Sequence, residues 1–203
     1  WNRAKATTEN FNSFETACDD GDIKSGDADA DVDEQLSSAL IAAIYLYEAT
    51  GKTEYRTFVE QNYIWLPPYG VYWWGPYWAT TQVALLRFTS LPGVTPSVAS
   101  SILSQKAIQN DVMSIEDYDA GTDLYRAYLP DSQYHWGHNQ VRANAGNLNV
   151  DFITFGINPE NAPGYREVAE AHLHWLHGVN PLGLVMLSNM WSFGAESSVN
   201  EIY

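Results

Sequence analysis

The sequence predicts an all-α protein built of helical hairpins. Apolar residues recur at intervals of three and four over several long segments, which is the spacing of one face of an α-helix. Glycine and proline clusters separate these segments, and no segment alternates apolar and polar residues as a half-buried strand does. With 203 residues, the chain is long enough for one domain with a sizeable core.

The first predicted hairpin covers residues 31–63. Residues 31–50 carry a helical stripe of apolar side chains, and further apolar residues surround that stripe. The stripe consists of Leu36, Leu40, Ala43 and Tyr47, and its apolar neighbours are Ile41, Ile44, Tyr45 and Leu46. A helix that is apolar nearly all round is buried on several sides. Gly51 ends it, and a shorter, more polar helix over 53–63 is expected to run back.

An aromatic loop separates this hairpin from the next one. Residues 63–78, YIWLPPYGVYWWGPYW, contain prolines and glycines that forbid a regular helix. A helix over 79–88 follows, and the segment Leu91-Pro92-Gly93 ends it. Thr95-Pro96 then supplies the N-cap and first-turn proline of a helix that runs to about residue 110.

Two more helices follow a weakly patterned connection over 111–134. The helix over 141–155 has a stripe with steps of four and three. Gly156 ends it, residues 159–164 form a loop, and a second stripe covers 165–176. Gly178 is a C′ residue for that helix, and Asn180-Pro181 forces a turn. The chain then becomes an aromatic and acidic segment.

The charge balance restricts the class of partner. Ten basic residues stand against twenty-five acidic ones, for a net charge of −15. Nucleic acids and anionic membrane surfaces both need a basic patch, so neither is expected as a partner. The excess of acidic residues suits a neutral ligand and solubility outside a cell. No stretch of the sequence is long and apolar enough to span a bilayer. The first residue is Trp1, which we interpret as a processed, trimmed or partial chain.

Three blocks stand in a recognisable order along the chain. They are SGDADADVDEQLSSALIAAIYLYEATGKTEYR (25–56), YHWGHNQVRANAG (134–146), and HGVNPLG (177–183) followed by SNMWSFGAESSVNEIY (188–203). In this order they resemble glycoside hydrolase family 9, the endoglucanases and related β-glycan hydrolases. The resemblance covers nearly all of the chain. It implies a secreted enzyme that hydrolyses β-1,4-glucosidic bonds in cellulose or related β-glucans by an inverting two-carboxylate mechanism.

The resemblance also implies the architecture, an (α/α)6 barrel or six-hairpin toroid. Its inner helices are expected near residues 31–50, 79–88, 141–155 and 166–177, all running in one direction. We expect residues 1–203 to form part of a single catalytic domain that lacks its N-terminal and C-terminal ends.

The catalytic carboxylates of that family are not recognisable here. Relatives take the base from a DAGD-like aspartate pair and the acid from a glutamate near the end of the domain. CDDGD at 18–22 and SGDADAD at 25–31 lie where the family has a later acidic loop. We therefore expect the chain to lack both groups. The alternative is that Glu201 is the acid and either Asp27 or Asp29 is the base.

Two aromatic loops are the candidate sugar-binding elements. Each leads into a helix predicted to be inner, so their N-terminal ends would meet at one mouth of the barrel. The expected cleft is lined by Trp74, Tyr77, Trp136, Asn139 and Gln140. An indole offers a flat surface to a pyranose face, and amides both donate to and accept from hydroxyls. The resemblance implies that Trp136 and Gln140 face the substrate, although relatives often have arginine at the second position.

The acidic loop over 18–34 allows two interpretations. Its oxygens could hold calcium, and the resemblance to the family's DEQ segment points to Asp31, Asp33 and Glu34 as ligands. The other interpretation is a solvated loop whose last acids favour the N-terminal end of the next helix. No cofactor is required. His172, His174 and His177 cannot share one helix face, so a zinc triad is not expected, whereas His135 and His138 could be two ligands or could bind substrate.

A second function from another class stays open. A non-catalytic glycan-binding or scaffold protein built of helical hairpins would also account for the missing carboxylates.

Overall fold

The computed structural model describes residues 32–65, 69, 75–108, 123–127, 129–196 and 198. Within these residues the chain is helical and has no strand, which confirms the predicted all-α class. The helices are α1 (Val32–Thr50), α2 (Thr53–Asn62), α3 (Ala79–Thr89), α4 (Pro96–Ile108), α5 (His138–Thr154) and α6 (Ala162–Leu176). Short 3₁₀ turns lie at Tyr63–Trp65, Pro76–Trp78, Asp131–Gln133, Pro159–Asn161 and Trp191–Phe193.

The predicted helices match α1 to α4 within two residues at most ends, but α5 and α6 begin earlier than predicted. Gly137 adopts a left-handed φ of 83°, and α5 starts directly after it. The start of α6 lies inside the segment predicted to be a loop at 159–164. Pro163 occupies its first turn, where the missing N–H of proline costs no helical hydrogen bond.

Helices α1, α3 and α5 start at the same end of the molecule. Ser37 and Thr81, near the starts of α1 and α3, share a hydrogen bond of 3.1 Å. Glu48 and Arg87, near the other ends of those helices, form an ion pair, so α1 and α3 are parallel. Asn144 in α5 donates to the carbonyl oxygen of Pro76, just before α3, over 2.8 Å.

Helices α2, α4 and α6 run back against their predecessors. In the last hairpin, the Phe152 and Tyr165 rings stack at 4.3 Å, while His138 meets Trp175 at 5.7 Å. The first pair joins the end of α5 to the start of α6, and the second pair joins the start of α5 to the end of α6. The two helices are therefore antiparallel. The expectation that 141–155 and 166–177 are both inner helices of one direction is therefore wrong. Consecutive helices with a short connection form a hairpin, and the barrel itself stays a prediction.

A buried polar network crosses the core between α3, α4 and α5. Lys106 is only 1% exposed, and its ammonium donates to Gln82 Oε1 at 3.1 Å. Gln82 in turn donates to the Gly75 carbonyl at 2.6 Å. Lys106 also lies 4.7 Å from the centre of the Phe152 ring, next to the buried carboxyl of Asp151. Burial raises the pKa of Asp151 to about 6, although the positive charge of Lys106 acts in the opposite direction.

The raised pKa makes folding depend on pH through Asp151. Between about pH 4 and pH 6 only the unfolded chain ionises this carboxyl, so the free energy of unfolding falls as pH rises, by up to about 3 kcal/mol. We expect Asp151→Asn to remove this loss, because an amide is neutral at every pH. The gain of the variant over the wild type in urea unfolding should therefore grow from pH 4 to pH 7.

The quantity to measure is the difference in the free energy of unfolding between Asp151→Asn and the wild type. Burial and the nearby Arg142 lower the pKa of His172 to about 3, so His172 favours unfolding as pH falls and opposes the Asp151 effect. The contribution of His172 is the same in both proteins, so it cancels when their free energies of unfolding are subtracted. The exposed Asp131→Asn provides a control that should follow the wild-type profile. A constant difference between Asp151→Asn and wild type would contradict the assignment.

Candidate functional site

One end of the molecule collects aromatic and imidazole side chains. We call it the aromatic end and define it by Tyr77, Tyr134, His135, Trp136, His138 and Trp175. These residues lie in the turn before α3, in the segment before α5 with its first residue, and in the last turn of α6. They meet because α3 and α5 start at this end, while α6 ends there.

Tyr77 joins the two predicted sugar-binding loops. Its hydroxyl donates to Gln133 Oε1 and lies 2.8 Å from His135 Nε2. The Tyr77 and His135 rings are nearly parallel, with 17° between their planes and 6.3 Å between their centres. Tyr77 thus lies beside the segment that carries Trp136, as a common cleft requires. Trp74, the other residue predicted on the first loop, lies outside the described residues.

Trp136 is the most exposed large apolar side chain of the described residues, at 97% against 92% for Leu124. Its indole therefore contributes almost no burial to the fold and leaves a flat apolar face open to a ligand.

The two predicted amide contacts differ in their surroundings. Gln140 is exposed in the first turn of α5. Asn139 is half-buried, and its Oδ1 is buried without a hydrogen-bond donor among the described residues. The oxygen of Asn139 therefore faces the protein, whereas Gln140 is open to solvent. Their role in sugar binding stays a prediction.

His135 has a defined tautomer in its neutral form. Its Nδ1 lies 2.7 Å from the Trp136 carbonyl oxygen, which can only accept, so Nδ1 must carry a proton. Nε2 is then an acceptor beside the Tyr77 hydroxyl, and it receives the single proton of that hydroxyl only when Gln133 Oε1 does not. The imidazole is thus fixed on both sides.

Beneath the aromatic end lies the buried guanidinium of Arg142. Nη2 donates to the Tyr134 hydroxyl at 2.9 Å, and Nη1 donates to the Ala127 carbonyl oxygen. The guanidinium lies 4.0 Å from the centre of the Trp175 ring. Burial lowers the pKa of Arg142, an effect that Tyr134 and Asp123 partly offset, but an arginine keeps its charge in proteins.

The sequence analysis did not identify Arg142. Its spacing in the sequence could have identified it. Arg142 stands four residues after His138 and three before Ala145, so it lies on the face of α5 that the apolar stripe places against the protein. A basic residue in that position needs partners, because burying an unpaired charge is costly.

Asn180 organises the turn after α6 that Asn180-Pro181 predicts. Its Nδ2 donates to the carbonyl oxygens of Trp175 and Leu184, both at 2.8 Å. Its Oδ1 accepts from the backbone N–H groups of Leu182 and Leu184. The turn is closed by side-chain bonds, which hold the segment after α6 against the end of that helix.

The described region contains no group of three His, Cys, Asp or Glu residues placed to hold a metal ion. His138 packs on the Tyr134 and Trp175 rings, and His172 is buried beside Arg142. The predicted calcium ligands lie outside the description: Asp31 entirely, and Asp33 and Glu34 in their side chains. The alternative catalytic residues Asp27, Asp29 and Glu201 also lie outside it.

Comparison with known proteins gives one match. The family model described as Glycosyl hydrolase family 9 matches residues 1–202. Neither the curated proteins nor the solved structures contain a match to the chain. Among the described helices, none is both long and apolar enough to cross a membrane.

The hydrogen bonds of the histidines predict opposite tautomers at two positions. ¹⁵N NMR should show neutral His135 protonated on Nδ1, because that nitrogen faces a carbonyl oxygen. His172 should carry its proton on Nε2, because its Nδ1 lies 3.4 Å from a guanidinium nitrogen that can only donate. His172 is thus an internal control, and the Nε2–H form at His135 would contradict the contact between His135 Nδ1 and the Trp136 carbonyl oxygen.

Proposed function

The chain belongs to glycosyl hydrolase family 9, and on that premise we propose that it serves the hydrolysis of β-1,4-glucosidic bonds in cellulose or related β-glucans. Family membership makes it a glycoside hydrolase with a carbohydrate partner. The proposal adds the substrate, the inverting mechanism and a secreted location. The excess of acidic residues supports a neutral glycan and a protein that stays soluble outside a cell.

The open indole of Trp136 carries the proposal. An aromatic ring that is 97% exposed beside a half-exposed tyrosine is unusual, since exposed aromatic surface does not stabilise a fold. A pyranose ring presents C–H groups to such a face, while its hydroxyls need donors and acceptors at the edge. Gln140, which is exposed and stands four residues after Trp136 in the chain, offers these groups.

The inverting mechanism needs a carboxylic acid to protonate the leaving oxygen and a carboxylate to activate water, about 6.5–9.5 Å apart. Asp123, an acid near the aromatic end, already accepts from the backbone N–H groups of Tyr125 and Ala127. Asp151 is buried in the core. Because the family's paired-aspartate and terminal-glutamate motifs are not recognisable in the sequence, we propose that both catalytic carboxylates lie outside the described residues.

Replacing the indole tests the sugar-binding role. We expect Trp136→Ala to weaken cellohexaose binding by about 1–3 kcal/mol, the scale of one large apolar side chain, as measured by calorimetry. Tyr45→Ala is the matched control, because Tyr45 is a half-exposed aromatic residue toward the opposite end of α1. An unchanged dissociation constant for Trp136→Ala, or an equal loss for both variants, would refute the proposed cleft.

A second measurement separates the enzyme from a glycan-binding scaffold. With the protein as it occurs in its source, ¹H NMR should show the α-anomer as the first product from a β-glucan, because one displacement inverts the anomeric centre. First formation of the β-anomer would contradict inversion. Binding without any release of reducing sugar would favour the non-catalytic function.

A further inference from the structure

Among the residues that the structure describes, no backbone hydrogen bond joins the segment before α5 to another element. In the described part of the chain, the backbone N–H groups of Gln133, Tyr134, His138 and Gln140 all bond three residues back. Such turn bonds close locally and leave the position of the segment undetermined. Side chains must therefore fix where Trp136 stands relative to the helices.

Arg142 is the side chain that reaches most elements at this place. It is fully buried, and its two terminal nitrogens bond the Tyr134 hydroxyl and the Ala127 carbonyl oxygen. Nη1 also lies 3.4 Å from His172 Nδ1, and the guanidinium plane covers the Trp175 ring. One planar group thus connects the segment before α5, the segment at 123–127, and helix α6.

The imidazole of His138 completes this contact. It lies 5.6 Å from the Tyr134 ring and 5.7 Å from the Trp175 ring, measured between ring centres. The cation and the imidazole therefore bind the same two aromatic rings from different positions. Trp136 stands between Tyr134 and His138 in the chain, so its backbone is held on both sides.

We infer that Arg142 is a positioning residue for the sugar-binding aromatic end, which sets the place of Trp136 through Tyr134 and Trp175 without touching the glycan. The part of this inference that concerns sugar rests on the proposed function. Only arginine fits this positioning role, because two terminal nitrogens must donate to the oxygens of Tyr134 and Ala127 while the flat guanidinium lies over the Trp175 ring. Lysine keeps the charge but has neither the fork nor the plane.

The experiment compares three variants of the whole chain. Arg142→Lys removes the fork, and Tyr134→Phe removes only the hydroxyl that accepts from it, on a half-exposed residue whose ring is kept. Arg87→Lys is the control, because Arg87 forms an equally two-pronged but exposed contact with Glu48 near the other ends of α1 and α3. Each protein is measured by amide hydrogen exchange and by cellohexaose calorimetry.

We expect the amides of His138 and Gln140 to exchange about tenfold faster in Arg142→Lys and Tyr134→Phe, with α1 and α2 unchanged. Cellohexaose binding should weaken about tenfold in Arg142→Lys, because misplacing a binding group has a large effect. Arg87→Lys should change neither quantity. If Arg142→Lys does not fold, Tyr134→Phe still decides the exchange result.

The outcomes separate the two proposals. Unchanged exchange at His138 and Gln140 in Tyr134→Phe, or an equal rise over all helices in Arg142→Lys, would overturn the positioning role. Faster local exchange with unchanged sugar binding would overturn the link to the glycan. If the wild type binds no cello-oligosaccharide, the proposed function fails, while the exchange measurements still test the contact itself.

Discussion

The buried network of Gln82, Lys106 and Asp151 fixes the relation of three helices, and the aromatic end depends on that relation. A buried ammonium requires polar partners, because the cost of leaving a charge unpaired in the core is large. Lys106 from α4 finds them on α3 and beside α5. Because Lys106 needs partners on both helices, α5 is held alongside α3. Near the start of α3, Asn144 of α5 donates to the Pro76 carbonyl oxygen.

Above this core, side chains and not the backbone determine the local arrangement. Tyr77 reaches across to Gln133 and His135, Arg142 reaches Tyr134, and the rings of His138 and Trp175 pack together. Trp136 is supported by its neighbours and is itself left open. An exposed indole gains little from folding, which supports our proposal that Trp136 serves to bind a ligand.

The sequence predicted the helical class, most helix ends and the family. Apolar residues at intervals of three and four locate the helices, because the apolar face of a helix is determined by residues close together in the sequence. Glycine at 51, 156 and 178 marks the C-terminal ends of helices, since left-handed backbone conformations favour this residue, and all three have positive φ. The common direction of the helices at 79–88 and 141–155 also predicts that Tyr77 lies beside the segment of Trp136, where its hydroxyl contacts His135.

Other features were decided only by the tertiary structure. Periodicity shows which residues point inward but not which helix covers them. The expectation from the resemblance that 166–177 runs in the same direction as 141–155 is wrong, because the two helices form an antiparallel hairpin. The sequence places Arg142 on the inward face of α5 but does not show its partners. The oxygens of Ala127 and Tyr134, the ring of Trp175 and the charge of Asp123, brought together from separate segments, stabilise the guanidinium. The sequence by itself determined the helices, the excess of acidic residues and the two aromatic segments, because these follow from local pattern and composition. The tertiary structure decided which of these residues support one another, because hydrogen bonds and ring contacts between distant segments depend on positions in space.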